Sequence, residues 1–273
     1  MKKIFFVLAV VFTIVAAQAQ TDNYKVLKKI SVAGEGGWDY LAVDEVAQHI
    51  FISHGMEVNV VDVKTDQTIA TIPDTKGVHG IAIANDLNKG FISNGRDTSI
   101  TVFDLKTLQV LQKVKIEGIN PDAILYDEFS HKVFSFNGRS NDVTVLDAKT
   151  DKIIGTIALT GKPEFAVTNG KGLVYVNIED KNTITVFDAT TLKVKDVWSL
   201  KPGEEPTGLA FDKQTKRLFS VCDKIMIVVN AEDGSVVTTV PIGGGCDGVM
   251  FDAERKCIYT SNGEGTMTIV KEE

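Results

Sequence analysis

Six positions in this chain share one register. They read Asp39, His79, Asp122, Glu164, Thr207 and Asp247, at intervals of 40, 43, 42, 43 and 40 residues. Each stands just ahead of a short apolar run, as in "DYLAV", "HGIAI" and "DGVMF". A second set, His54, Asn94, Asn137, Asn177, Cys222 and Asn262, recurs at 40, 43, 40, 45 and 40. If the chain gathers both sets at one place, four carboxylates, two imidazoles and four amides meet there. Like charges held that close raise one another's pKa unless a cation neutralises them. An oxygen-rich group of Asp39, Glu164, Asn177, Asp247 and Asn262 suits Ca²⁺ or Mg²⁺. A metal there activates water and polarises a carbonyl, with His54 or His79 as base, because imidazole titrates near neutrality. The other chemistry is recognition without catalysis, by carboxylates that stay solvated or are held by adjacent backbone N–H groups.

The elements that position these residues repeat with them. "FISH", "FISN", "FSFN", "VYVN", "FSVC" and "YTSN" each end on a member of the second set. In the second repeat a run at Ile81–Ala84 is followed by a turn, the word at Phe91–Asn94, alternating residues at Ser99–Phe103, and a last run at Val110–Ile116. Four short strands bounded by Gly, Asn and Asp turns predict an antiparallel meander. The third turn reads "DVKT" at Asp62, "DLKT" at Asp104, "DAKT" at Asp147 and "DATT" at Asp188, with Asn230 in the fifth repeat. A side-chain oxygen at the first turn position accepts backbone N–H groups two residues on, so these are turn builders rather than catalysts. "NG" after the second strand at Asn94, Asn137 and Asn262 predicts positive φ at those asparagines, whose amides can also bridge between sheets.

A four-stranded sheet repeated at this period predicts an all-β propeller. The first strand of each blade lines the channel, and the two aligned sets converge on one mouth of it. Six first-to-third strand sets are visible, closing as six blades or lacking the end of a seventh; the abrupt end at "IVKEE" favours a fragment. "YKVLKKISVAG", Tyr24–Gly34, reads as a fourth strand without its first three, and the last repeat lacks its fourth. Residues 24–34 are thus expected to clasp the ring shut and cover a free edge. "YTSN", "VYVN", "FISN" and "FSFN" resemble the word of the YVTN-type β-propellers, the YncE-like exported proteins, over about residues 24–273. That resemblance implies fold rather than activity. The metal alternative loosely resembles the six-bladed propeller lactonases, although no motif here matches theirs.

Composition bounds the partners. The apolar share, 44% of 273 residues, builds a sizeable core. Lys2 and Lys3, the apolar run Ile4–Ala17 and Ala17-Gln18-Ala19 predict a signal peptide over residues 1–19, with the propeller over 20–273 and a periplasmic or secreted protein. No membrane span is expected after cleavage. The net charge of −7 becomes −9 once the two lysines of that peptide leave, which disfavours nucleic acid. Cys222, Cys246 and Cys257 allow one disulfide and one thiol, or three packed thiols. Ser53 and Ser93 lie inside strand words with no adjacent base, and no nucleophile elbow or P-loop is present. The leading reading is therefore a monomeric binding or scaffold module for a small molecule or protein. Its mouth face comprises Trp38, Asp39, His79, Arg96, Asp122, Arg139, Glu164, Thr207 and Asp247, with Arg96 and Arg139 placed to pair with Asp122 and Glu164 or to attract an anion.

Overall fold

A computed structural model describes residues 24–273. It divides the chain into a unit ending at Ser31 and a second unit, Val32–Glu273. The expected signal peptide lies outside the described residues. Among the described residues no helix is long and apolar enough to cross a membrane.

The second unit is a ring of six antiparallel sheets, the arrangement of a six-bladed β-propeller. Blades 1 to 5 occupy residues 38–72, 78–115, 121–158, 163–199 and 209–241, and each has four strands in chain order. Blade 6, residues 246–271, has three strands. The only helical turns among the described residues are two 3₁₀ turns, Asn85–Leu87 and Glu179–Lys181.

Local chemistry sets the meander. Asp62, Asp104, Asp147 and Asp188 each accept the backbone N–H groups two and three residues on, at 2.7–3.1 Å. Asn230 accepts the N–H of Glu232 at 3.0 Å. These turns match the expectation from their sequence. The "NG" turns do not, because Asn94, Asn137 and Asn262 are the last residues of extended strands. Positive φ falls later in the loop, at Thr98, Asn141 and Gly265. The amides instead clamp the loop: Asn94 Nδ2 donates to Ser99 and Thr101, Asn137 to Asp142 and Thr144, and Asn262 to Thr266 and Thr268.

Strand alternation sends successive side chains to opposite seams. Ile92 packs with Phe51, Val58 and Val60 of blade 1, while its neighbour Phe91 packs with Val133 and Leu146 of blade 3. Phe134, Phe136 and Phe187 fill the third seam, Tyr175, Ile184 and Leu218 the fourth, and Phe219, Met226 and Ile258 the fifth. The word's serine adds a polar stitch: Ser53 donates to the carbonyl of His79, and Ser93 to that of Asp122, each on the next blade.

Five clusters join six sheets in series; no buried cluster of the described residues joins blade 6 to blade 1. Leu41 and Val43 on blade 1 are 66% and 56% exposed, and Met250 and Met267 on blade 6 are both 61% exposed. Ser261, the counterpart of Ser93, is exposed and bonds only within its own blade, to Gly248. This seam is open. Met267 stands where blade 2 carries Ile100, which is fully buried. Met267→Lys is therefore expected to change stability by less than about 0.5 kcal/mol, whereas Ile100→Lys buries an unpaired charge and unfolds the protein. Urea denaturation of both variants checks this, and comparable losses would show that the sixth seam is sealed.

The expected clasp is corrected. Residues 24–34 form no strand, and Tyr24, Val26 and Leu27 are exposed. Blade 6 has no fourth strand among the described residues. The other fourth strands follow their third through a short Asp- or Asn-capped turn. Residues 24–34 have no such turn leading into them. The doublets Val26-Leu27 and Lys28-Lys29 also leave neither face uniformly apolar. The three cysteines are free and buried. Burial pushes the thiol of Cys222 up to about 12 and that of Cys246 to about 11, so both are inert packing groups.

Candidate functional site at the channel mouth

Five of the six aligned residues sit in a kink of their blade's first strand. The pairing between first and second strands slips between Trp38 and Leu41, Val78 and Ile81, Pro121 and Ile124, Pro163 and Ala166, and Cys246 and Gly248. Asp39, His79, Asp122, Glu164 and Asp247 lie inside those slips. An irregularity of this kind breaks the ladder and re-aims a side chain. Here it turns each one toward the channel mouth rather than into a seam.

The ring assembles on one side of the mouth through hydrogen bonds. His79 Nδ1 lies 2.5 Å from Asp39 Oδ2 and 3.9 Å from Asp122 Oδ1. The Asp39 bond raises the His79 pKa, burial opposes it, and Asp122 adds to the rise. Burial also pushes the Asp122 carboxyl up; His79 opposes that, and Asp39 and Asp247 add repulsion. On the other side Lys162 Nζ lies 2.6 Å from Glu164 Oε1 and also contacts Glu179. Burial nevertheless pushes Glu164 up to about 7 against the pull of Lys162, with repulsion from Asp122 contributing. Burial works against the Lys162 charge, but bonds to Glu164 and Glu179 leave its pKa raised. Asp247 is exposed, and its carboxyl is raised by desolvation and then by Asp39 and Glu179.

Tyr40 occupies the centre. Its ring stacks on Phe165 of blade 4 at 5.7 Å. Its hydroxyl is held well above its ordinary pKa by burial and then by Asp122, Glu164, Asp39 and Asp247 together. The positions aligned with Tyr40 and Phe165 are Gly80, Ala123, Gly208 and Gly248. A Cβ at Gly80 meets the backbone of Asp122 and Ile124 at 2.9–3.0 Å, and one at Gly208 meets Asp247 and Val249 at the same distances. Small residues there let neighbouring blades close up, while the two large rings plug the channel beneath the carboxylates. Tyr40, Phe165, Lys162 and Glu179 are site residues that repeat alignment by charge passes over. The signal for the first two was an aromatic where the other repeats hold Gly or Ala.

The remaining predicted residues have other duties. Trp38 is 55% exposed and stacks on His54 at 3.8 Å, forming an aromatic wall beside Asp39. His54 is buried beneath it with Nδ1 3.1 Å from Asn59 Oδ1, so it offers no base at the mouth. Thr207 donates to the Cys246 carbonyl at 2.8 Å and ties blade 5 to blade 6. Arg96 and Arg139 are exposed and make no ion pair among the described residues; Lys162 and His79 hold Glu164 and Asp122 instead.

The proposed metal set does not assemble. Asn177 is buried, its amide donating to the carbonyls of Thr207 and Gly208 and accepting from Ser220. Asn262 donates to Thr266 and Thr268 and accepts from Thr260. No group of three or more His, Cys, Asp or Glu among the described residues could hold a metal ion. No known protein family matches the chain, and no curated protein matches it.

Proposed function

We infer that this chain is an exported binding module, akin to the YVTN-type propellers, whose channel mouth takes a ligand or partner bearing an ammonium or guanidinium group. The observation that carries this reading is the encirclement of Tyr40 by Asp39, Asp122, Glu164 and Asp247. Carboxylates outnumber the two cations at the mouth, His79 and Lys162. The half-buried positions of Asp122 and Glu164 leave their field only partly screened by solvent. Trp38 adds an exposed aromatic face on which a cation can rest. Export rests on the N-terminal sequence, with its two lysines, apolar run and small-residue cleavage pattern.

Calorimetric titration with spermidine at low salt tests the mouth. One site per chain is expected, weaker at pH 6 than at pH 8, because a Glu164 carboxyl near 7 is mostly neutral at the lower pH. The pair Asp122→Asn and Glu164→Gln is expected to lower affinity roughly tenfold or more, about 1.4 kcal/mol per decade. Absence of binding, or binding indifferent to both substitutions, would overturn the assignment.

A further inference from the structure

The channel below the Tyr40–Phe165 plug is a separate space. A cavity of about 430 Å³ runs between the first strands of blades 1 to 5 and reaches the turns at the face opposite the carboxylate mouth. Its wall is mostly apolar, with Val43, Ile83, Val167 and Phe211 among its residues. A volume of this size falls within the range of small-molecule sites, and such sites pair an apolar wall with a few placed polar groups.

The lining carries three polar side chains, Tyr126, Thr168 and Lys213, and the acids Asp86, Asp127 and Glu128 stand around Tyr126. Tyr126 hydroxyl donates to the Asp86 carboxylate at 2.9 Å and lies 3.1 Å from His131 Nδ1. Thr168 donates to Asp127 at 2.6 Å. Lys213 is the only charged residue of the lining, and it makes no ion pair or hydrogen bond among the described residues. It stands in the turn after the first strand of blade 5, at the cavity's rim. Lys213 is exposed at that rim, its Nζ 3.6 Å from where a Cβ on Gly170 would stand, and Phe165 lines the cavity's other end.

We propose that this cavity binds an apolar monocarboxylate, with the hydrocarbon body in the channel and the carboxylate on Lys213. A neutral hydrocarbon leaves the ammonium without a partner, and a cation meets like charge at the rim. The charge and the shape thus select an amphiphilic anion. The site is independent of the mouth, which lies beyond the plug and has the opposite sign.

Sodium decanoate is the probe, titrated calorimetrically into the full chain below its micellar concentration. One molecule per chain is expected. Lys213→Gln alters an exposed residue and is expected to weaken binding about tenfold, and decylammonium is expected to bind at least tenfold more weakly than decanoate. Val167→Trp fills the channel and is expected to abolish binding. Met250→Ser with Met267→Ser, at the open seam, leaves the affinity unchanged. No binding of decanoate overturns the proposal. So does affinity unmoved by Lys213→Gln, equal affinity for decylammonium, or loss on changing the two methionines. Lys213→Gln decides the matter even if Val167→Trp perturbs the fold.

Discussion

Phe187→Ala is expected to destabilise the protein by about 3–5 kcal/mol. Phe187 is fully buried on the third strand of blade 4, with its ring centroid 5.2 Å from that of Phe134 and 6.5 Å from that of Phe136 across the seam. Truncation removes its dispersion contacts with two aromatic rings and leaves a void that both sheets must bend to fill. Neither can bend freely, because each is packed on its other face against a further blade. The denaturant midpoint reports the loss. A change below about 1 kcal/mol would show that this seam relaxes and that the blades are not packed to core density.

Between pH 5 and pH 8 the protein is expected to lose stability that Glu164→Gln does not lose. Glu164 has a folded-state pKa of about 7 against an ordinary 4.5. Below 4.5 it is protonated in both states and contributes nothing adverse. Between the two values the folded state holds a proton that the unfolded state releases, so rising pH favours unfolding. His79 acts in the same sense, because its raised folded-state pKa gives stability that is present at low pH and lost as pH rises through that value. The Glu164 contribution is on the order of 3 kcal/mol at most, or roughly 5–10 °C for a domain of this size. The turn aspartates work the other way. Asp104 and Asp147 are held below the usual carboxylate range by backbone N–H groups, and their contribution is lost only as pH falls below that range. Thermal melting of parent and Glu164→Gln across this range is the measurement. Parallel curves would mean that Glu164 is charged throughout.

The blades were legible because the same few residues carry them each time. A Phe-x-x-Asn word supplies one side chain to each seam, and an Asp supplies the reversal. The convergence of Asp39, His79, Asp122, Glu164 and Asp247 followed from register alone. What escaped depends on contacts that a repeat cannot encode. "NG" is compatible with a tight turn or with an extended strand end whose amide reaches forward five and seven residues, and only the Ser99 and Thr101 hydroxyls decide between them. Lys162 reached Glu164 where Arg96 and Arg139 were expected to serve, because it stands two residues from the glutamate in the chain. The Tyr40–Phe165 stack joins blades that are not neighbours, and alignment of successive repeats compares only equivalent positions. Residues 24–34 share the composition of a fourth strand but not its local turn, and composition alone misplaced them.

Five sealed seams with a sixth left open make the propeller behave as a finite row with two ends. Stability in such a row is a sum of sheet terms and nearest-neighbour terms, and an end sheet is held by one neighbour instead of two. The sheet of residues 246–271 is the weaker end, because among the described residues it has three strands where the others have four. Its amides therefore exchange with solvent through an opening that leaves the other five sheets intact, while those of blades 3 and 4 exchange only when the row as a whole comes apart.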